Sequence, residues 1–415
     1  MNITGIIAEY NPFHNGHAYH IEETRKQTQA DYIIAIISGN FVQRGAPAAA
    51  DKYLRTRLAL LGGADLVLEL PVFGAVSSAE TFAKSGIHIL DRLNCVTHIS
   101  FGAESPDTDR LFSLAALFAG EPAPYRELLS SYLKEGLSFP AARQAAAVKY
   151  LHLDADPSAL NLPNNILGIE YLKALMQSDS DLIPCIIPRQ GSSYHDTDIH
   201  RGFSSATALR KAIFASKELS VTADSLCNLK NQMPDACYQA VKDWAAHNFF
   251  LQEDDFSSLL HYKLLLNNGR YAEFGEGSLQ LFGRIKHTLE QFRSFSQFCS
   301  ILKTKDRTYT SIARYLIHLL LGITGESLCL FQKYDCAPYV RILGFKKSAA
   351  PLLTLLKQSS IPVISRLSSD YQDLSDERKQ LLELEIRSAH IYNSIQTGKT
   401  GYPVKNEFRR SLIIL

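Results

Sequence analysis

Short apolar runs recur along the first half of the chain, most of them followed by a segment whose apolar residues return every three or four positions. Ile3 to Ala8 is the first run, Tyr32 to Ile37 the second, and Leu66 to Leu70 the third, stopped by Pro71. Thr97 to Gly102 and Leu182 to Ile187 complete the series, the last stopped by Pro188. Helical periodicity falls between them, over His17–Gln27, Lys52–Leu61 and Ser78–Leu93. Continuous apolar strands alternating with helices predict a parallel sheet covered on both faces. Pro184 lies inside the fifth run and cannot donate to a ladder, which predicts an edge position for that strand. Beyond residue 220 the pattern changes to helices, over 237–250, 256–266, 278–292, 310–321 and 376–391. Arg341–Phe345 and Pro362–Ser365 are expected as a short strand pair. The predicted organisation is therefore an α/β domain over residues 1–220 and a mainly helical region over 221–415.

Composition adds little to that picture, and charge adds one asymmetry. The 415 residues are 46% hydrophobic and 20% charged, as expected of a globular chain with a sizeable core. Net charge is +1 overall, but residues 1–220 carry −4 and residues 221–415 carry +5. Within 284–347 there are 11 basic and 4 acidic residues, a local face suited to a polyanion. The seven cysteines show no paired spacing, so neither a zinc site nor a disulfide framework is expected. No signal peptide or membrane-length apolar run is visible, and a cytoplasmic location is expected.

Candidate chemistry concentrates where the first strand ends. Ile7-Ala8-Glu9-Tyr10-Asn11-Pro12-Phe13-His14-Asn15-Gly16-His17-Ala18-Tyr19-His20 runs from strand through a polar turn into a helix. A helix N-terminus offers unpaired N–H groups and partial positive charge to a phosphate. His14 and His17 add two donors to a phosphoryl group whose charge rises in the transition state. Gly16 is expected to be small because a side chain there would meet a nucleotide. This His-x-Gly-His pattern is the signature of the nucleotidyltransferase superfamily, whose domain is Rossmann-like.

Other polar loops fall at predicted strand ends, where open α/β sheets place ligands. After the second strand, Ser38-Gly39-Asn40-Phe41-Val42-Gln43-Arg44-Gly45 offers amide and guanidinium donors to an anion. Asp51 is expected to cap the next helix. After the fourth strand, Gly102 of Phe101-Gly102-Ala103-Glu104-Ser105 permits close approach of a nucleotide. Asn164 and Asn165 head a helix, one as its cap and the other free to read a ligand. Arg189 closes the fifth strand and is followed by the polar loop Gly191–His195. Ser204, Ser205 and Arg210 of Phe203-Ser204-Ser205-Ala206-Thr207-Ala208-Leu209-Arg210 form a helix start suited to a triphosphate.

Taken together, EYNPFHNGH, SGNFVQRG, GADLVLELP, FGAES, LPNNILGIEYLKA and FSSATALR, in this order, resemble the bacterial tRNA(Met) cytidine acetate ligase family. The resemblance spans most of residues 1–210 and continues more loosely through Arg314 and 341–345. It implies activation of acetate by ATP, giving acetyladenylate and pyrophosphate, then acetyl transfer to the wobble cytidine of elongator tRNA(Met). It places ATP along residues 7–20, Gly102, Asn164 and Arg189, with FSSATALR at the phosphates. Acetate and tRNA come from the resemblance; the spacing of residues alone reaches adenylyl transfer. Two other classes compete: a small-molecule adenylyltransferase, and an RNA-binding protein with a degenerate nucleotide fold. Magnesium is the default companion of the triphosphate, with no protein ligand set in view. The tRNA backbone is assigned to Lys303, Lys305, Arg307, Arg314, Lys346 and Lys347, with Tyr309, Tyr315 and Phe345 available for stacking.

Overall fold

A computed structural model describes residues 1–104, 107–152, 162–189, 204–215, 226 and 228–415. The polar loop 191–195, Phe203 and Ser105 lie outside these residues. Each apolar run in the first half forms a strand: β1 (Ile3–Ala8), β2 (Tyr32–Ser38), β5 (Leu66–Leu70), β6 (His98–Ala103) and β7 (Ile183–Pro188). Two short strands, β3 (Phe41–Val42) and β4 (Ala46–Pro47), pair as a hairpin inside the loop after β2. Helices α1 (Asn15–Thr28), α2 (Lys52–Leu61), α3 (Val72–Ala75) and α4 (Ala79–Arg92) connect the first strands. Then come α5 (Thr108–Gly120), α6 (Ala123–Lys134), α7 (Phe139–Tyr150), α8 (Pro163–Ser178) and α9 (Ala206–Phe214).

The strands of the first half run parallel, with β2–β1–β6–β7 in that order and Ile6 level with Ala35. β7 is the outer strand on that side, so the ladder tolerates Pro184, opposite Ile99. Alternation along β1 sends Ile6 to one covering layer and Ile3 and Ile7 to the other. The first layer holds α1 and α2, with Phe13, Ile21, Leu54 and Leu58 in its core. The second holds α4 and α8, with Phe82, Ile87, Leu90, Phe101 and Tyr171.

The second half of the chain does not stand apart from this sheet. β8 (Val340–Phe345) pairs antiparallel with β5, β10 (Ile413–Ile414) pairs with β8, and β9 (Val363–Ile364) pairs with the end of β8. The expected pairing of the 341–345 and 362–365 segments is therefore present, but as an extension of the first sheet. The sheet thus crosses the expected division near residue 220. Most of the rest of the second half is helical and packs around a third core containing Phe41, Phe73, Phe256, Phe295, Phe298, Leu316 and Tyr392, while Cys237, Ala240 and Val241 join the layer of α1 and α2. The long helix Asp376–Thr400 runs nine residues beyond its expected end and stops at Gly401, whose φ of 74° supplies the left-handed cap. Among the described residues no helix is long and apolar enough to cross a membrane.

A buried charge cluster fastens the tail to the sheet. Lys52 Nζ lies 2.7 Å from Glu69 and 2.8 Å from Glu407, and Arg341 lies 3.1 Å from each carboxylate. Tyr53 donates to Glu407 and Tyr339 to Glu385. A Cβ on Gly39 would fall 2.7 Å from Glu69 Oε1, so that glycine admits the cluster beneath the loop.

Candidate active site

The cavity lies at the C-terminal ends of β1, β6 and β7, as the topology requires. His14 has extended backbone (φ −148°, ψ 174°) and caps α1, its Nδ1 accepting from Gly16 N at 3.0 Å. His17 Nδ1 accepts from His14 N at 3.2 Å. The two rings stack with centroids 3.8 Å apart. Because each Nδ1 is occupied as an acceptor, each neutral ring carries its proton on Nε2. Burial, then Arg189 and Arg210, holds the His14 pKa down at about 3. Burial, then His14, Arg189 and His20, holds His17 well below its ordinary value. Burial, then Arg189, brings His20 to about 4, and its Nε2 meets Ser100 Oγ at 3.1 Å. The pair is therefore a set of neutral N–H donors at physiological pH, and needs no imidazolium to bind a phosphoryl oxygen.

Gly16 serves this pair within the protein itself. A Cβ there would fall 2.9 Å from His14 Cε1 and 3.0 Å from its Nδ1, so the protein's own His14 ring excludes a side chain.

Of the fourteen residues expected around the first strand end, ten line the cavity: Ile7, Ala8, Glu9, Tyr10, Asn11, His14, Gly16, His17, Tyr19 and His20. Pro12, Phe13, Asn15 and Ala18 do not. Phe13 is in the core, and Asn15 donates through N and Nδ2 to the carbonyls of Gln232 and Asn231. Contiguity in sequence is broken by the helix, which turns neighbours to different faces.

Gly102 and Arg189 lie side by side, a Cβ on the glycine reaching to 3.3 Å from Arg189 Cγ. Arg210 lines the cavity and donates to Asn11 O at 2.6 Å and to Thr207 Oγ1 at 3.2 Å, which ties α9 to the first loop. Ser205 caps α9 through Ala208 N and lines the cavity, while Ser204 is buried with its N–H on Gln232 Oε1.

The expected cap of α8 is different. Leu162 occupies the cap position, and Glu104 accepts from the backbone N of both Asn164 and Asn165 and from Asn164 Nδ2. Asn165 Oδ1 returns the bond to Glu104 N, so Asn165 is structural and Asn164 alone lines the cavity. In the loop after β2, Gln43 and Arg44 line the cavity and Ser38, Gly39 and Asn40 are buried beneath it. Asn40 Oδ1 accepts from Lys52 N, and Asp51 caps α2 as expected.

Sequence reasoning missed the wall formed by Phe82, Phe101, Leu167 and Tyr171. It also missed Arg55, fully buried, whose guanidinium donates to the carbonyls of Glu9, Ser38, Gly39 and Ala50.

The expected basic platform divides in two. Gly45, at φ 76°, packs against the helix Tyr309–Leu321, where a Cβ would fall 2.3 Å from Arg314 N. Exposed Lys303 and Lys305, with Arg307, lead into that helix. Lys346 and Lys347 follow Phe345, which is level with Leu66 at the opposite end of β5, and Lys346 N donates to Asp65 O. Tyr315 is buried, its hydroxyl on Tyr271 O, and cannot stack on a base.

Comparison with known proteins agrees with this geometry. The model of the HIGH Nucleotidyl Transferase family matches residues 1–406. The tRNA(Met) cytidine acetate ligase of Acetivibrio thermocellus is 35% identical and that of Clostridium novyi 38%, each over 417 aligned residues covering 100% of both chains. Among solved structures, Thermotoga maritima TmcAL is similar in its apo form, with TM-score 0.91 and 29% identity over 100% of both chains. The same protein bound with alpha-thio ATP gives TM-score 0.89. The chain belongs to the HIGH nucleotidyl transferase family and, within it, to the tRNA(Met) cytidine acetate ligases.

Proposed function

We propose that the protein activates acetate with ATP and transfers the acetyl group to the wobble cytidine of elongator tRNA(Met), giving N4-acetylcytidine. The observation that carries the reading is the stacked, neutral His14–His17 pair between Arg189 and Arg210, in a chain similar to the ligases over its whole length. In the first step an acetate oxygen attacks the α-phosphorus, the bond to the β-phosphate oxygen breaks, and pyrophosphate leaves. The Nε2–H groups of His14 and His17 donate to the phosphoryl oxygens as charge builds, and Arg189 and Arg210 offset the charge of the triphosphate. In the second step the cytidine N4 attacks the acetyl carbon and AMP leaves.

Magnesium is the default partner of a triphosphate, but among the described residues the cavity presents a single carboxylate, Glu9. Among the described residues no group of three or more His, Cys, Asp or Glu side chains is placed to hold a metal ion. For the RNA, Lys303, Lys305, Arg307 and Arg314 form the platform that fits, since they lie on or just before the helix Tyr309–Leu321, whose backbone at Arg314 packs on Gly45 of the loop that carries Gln43 and Arg44 to the cavity.

The test is pyrophosphate release from ATP with acetate, with and without tRNA. Acetate-dependent exchange without tRNA, and acetylcytidine only with tRNA, are expected. Transfer of AMP to a phosphorylated metabolite instead would favour a small-molecule adenylyltransferase.

A further inference from the structure

The cavity is built for anions, with three arginines, three histidines and a helix N-terminus, yet one carboxylate lines it. Glu9 is the sole Asp or Glu among its described lining residues. The nearby Glu104 is taken up by the N-terminus of α8. A carboxylate placed beside a triphosphate site opposes binding of ATP by simple Coulomb repulsion. Its presence calls for a task other than holding ATP.

Glu9 is held at both ends. Its backbone carbonyl accepts from buried Arg55 at 2.8 Å, and its Oε1 accepts from Gln43 N at 2.9 Å. Gln43 belongs to the loop that ends at Gly45 against the backbone of Arg314, so Glu9 is tied through that loop to the helix Tyr309–Leu321. Glu9 also faces the missed wall: its negative charge adds to the burial that keeps the Tyr171 hydroxyl protonated. Phe101 and Tyr171, with centroids 5.3 Å apart, and Phe82 offer the flat apolar contact on which an unstacked base is held. Among the bases, cytosine presents an exocyclic N4 amino group, and a carboxylate is its natural acceptor.

We propose that Glu9 is a catalytic residue of the second half-reaction, accepting an N4–H of the target cytidine and taking its proton as acetyl is transferred. The proposal rests on the ligase function inferred above and deepens it. The N4 lone pair forms the bond to the acetyl carbon, and the bond from that carbon to the AMP phosphate oxygen breaks. AMP leaves with the electron pair, and the surplus N4 proton goes to a Glu9 carboxylate oxygen. Gln43 N–H keeps Oε1 oriented meanwhile, and no oxidant or further reactant is needed.

Glu9→Gln keeps an acceptor for Gln43 N–H while removing the proton acceptor, and turns an amide donor toward the N4 donor. Two rates are measured on the full-length protein: acetate-dependent ATP–pyrophosphate exchange without tRNA, and single-turnover transfer of labelled acetyl to tRNA. Loss of a positioned base lowers a rate by about 10²–10⁴-fold; transfer in E9Q is expected to fall by about 10²–10³-fold and exchange by less than about tenfold. Glu9→Asp, which keeps a carboxylate, is expected to transfer at least about tenfold faster than E9Q. Should E9Q fail to fold, E9D carries the test through a transfer loss several-fold larger than its exchange loss. Equal losses in the two rates, as a carboxylate serving the triphosphate would produce, overturn the proposal, as does unimpaired transfer. A wild-type protein without acetate-dependent exchange overturns the ligase reading itself, and the proposal with it.

Discussion

Replacing Gly16 with alanine separates stability from activity, because the structure gives the two effects different causes. The residue lies in the first turn of α1, and alanine there removes backbone freedom from the unfolded chain, which favours folding by up to about 1 kcal/mol. The new methyl, however, would sit 2.9 Å from His14 Cε1 and 3.0 Å from Nδ1. Ordinary carbon contacts are about 3.5–4.0 Å, so the ring must retreat by roughly half an ångström or more. It cannot do so freely. The ring is buried, bonded through Nδ1 to Gly16 N and stacked on His17. A displacement of about 1 Å at a reacting centre costs about 10²-fold, so a loss of about 10- to 100-fold in kcat for exchange is expected. The urea midpoint should stay level or rise slightly, and tRNA affinity should be preserved. Exchange within about threefold of wild type would refute the reasoning, since the His14 ring would then have moved without consequence. A large fall in the urea midpoint would refute it too, by showing that the methyl disrupts the helix start rather than one ring.

His14→Ala and His17→Ala each remove one preorganised donor, and pyrophosphate exchange is expected to fall by about 10²–10³-fold while tRNA binding persists; near wild-type exchange in both would remove the pair from the chemistry. Neutralising Lys303, Lys305 and Arg307 together should weaken tRNA binding and reduce its log–log salt slope by about 0.7–0.9 for each genuine phosphate contact, with ATP affinity unmoved; parallel lines would show that the segment positions nothing. Glu407→Ala leaves Lys52 and Arg341 buried with one carboxylate partner fewer, a loss of about 3–5 kcal/mol by analogy with broken buried pairs, read as a drop in urea midpoint; a change under about 1 kcal/mol would show that the cluster does not fasten the tail to the sheet.

What was legible in the sequence were features with local causes. Five apolar runs became five parallel strands, Pro184 marked the edge, Asp51 capped its helix, and His14, Gly16 and His17 stood where a strand passes to a helix. What was not legible depended on partners far along the chain. Glu69 is a charge inside an apolar strand, and only Lys52 and Arg341 explain it. Glu104 reads as a loop acid until Asn164 and Asn165 fold onto it, sixty residues later. Ser38, Gly39 and Asn40 carry donor and glycine patterns suited to a ligand, but they support the loop from below, while Gln43 and Arg44 reach the cavity. Residues 413–414 are too short a run to read as a strand by periodicity, and pair only because β8 presents an open edge.

These long-range partners determine how the roles of the two halves can be tested. A fragment ending near residue 220 would expose the β5 edge that β8 covers, five residues long and wholly buried in the intact chain. It would also leave Lys52, 1% exposed, without Glu407, and Gly39 above a Glu69 stripped of Arg341. Lys52 N holds Asn40, and Asn40 begins the loop that carries Gln43 to Glu9. Damage to the tail therefore reaches the loop that lines the cavity through four residues, each in direct contact with the next or in the same loop. Failure of such a fragment to bind ATP would report lost folding, and would not locate a single ATP contact in the second half. The proposed tRNA platform and the proposed ATP site must be separated by surface substitution in the full chain, where the charge cluster stays whole. The 303–307 neutralisation meets that condition because Lys303 and Lys305 are exposed and take no part in the cluster.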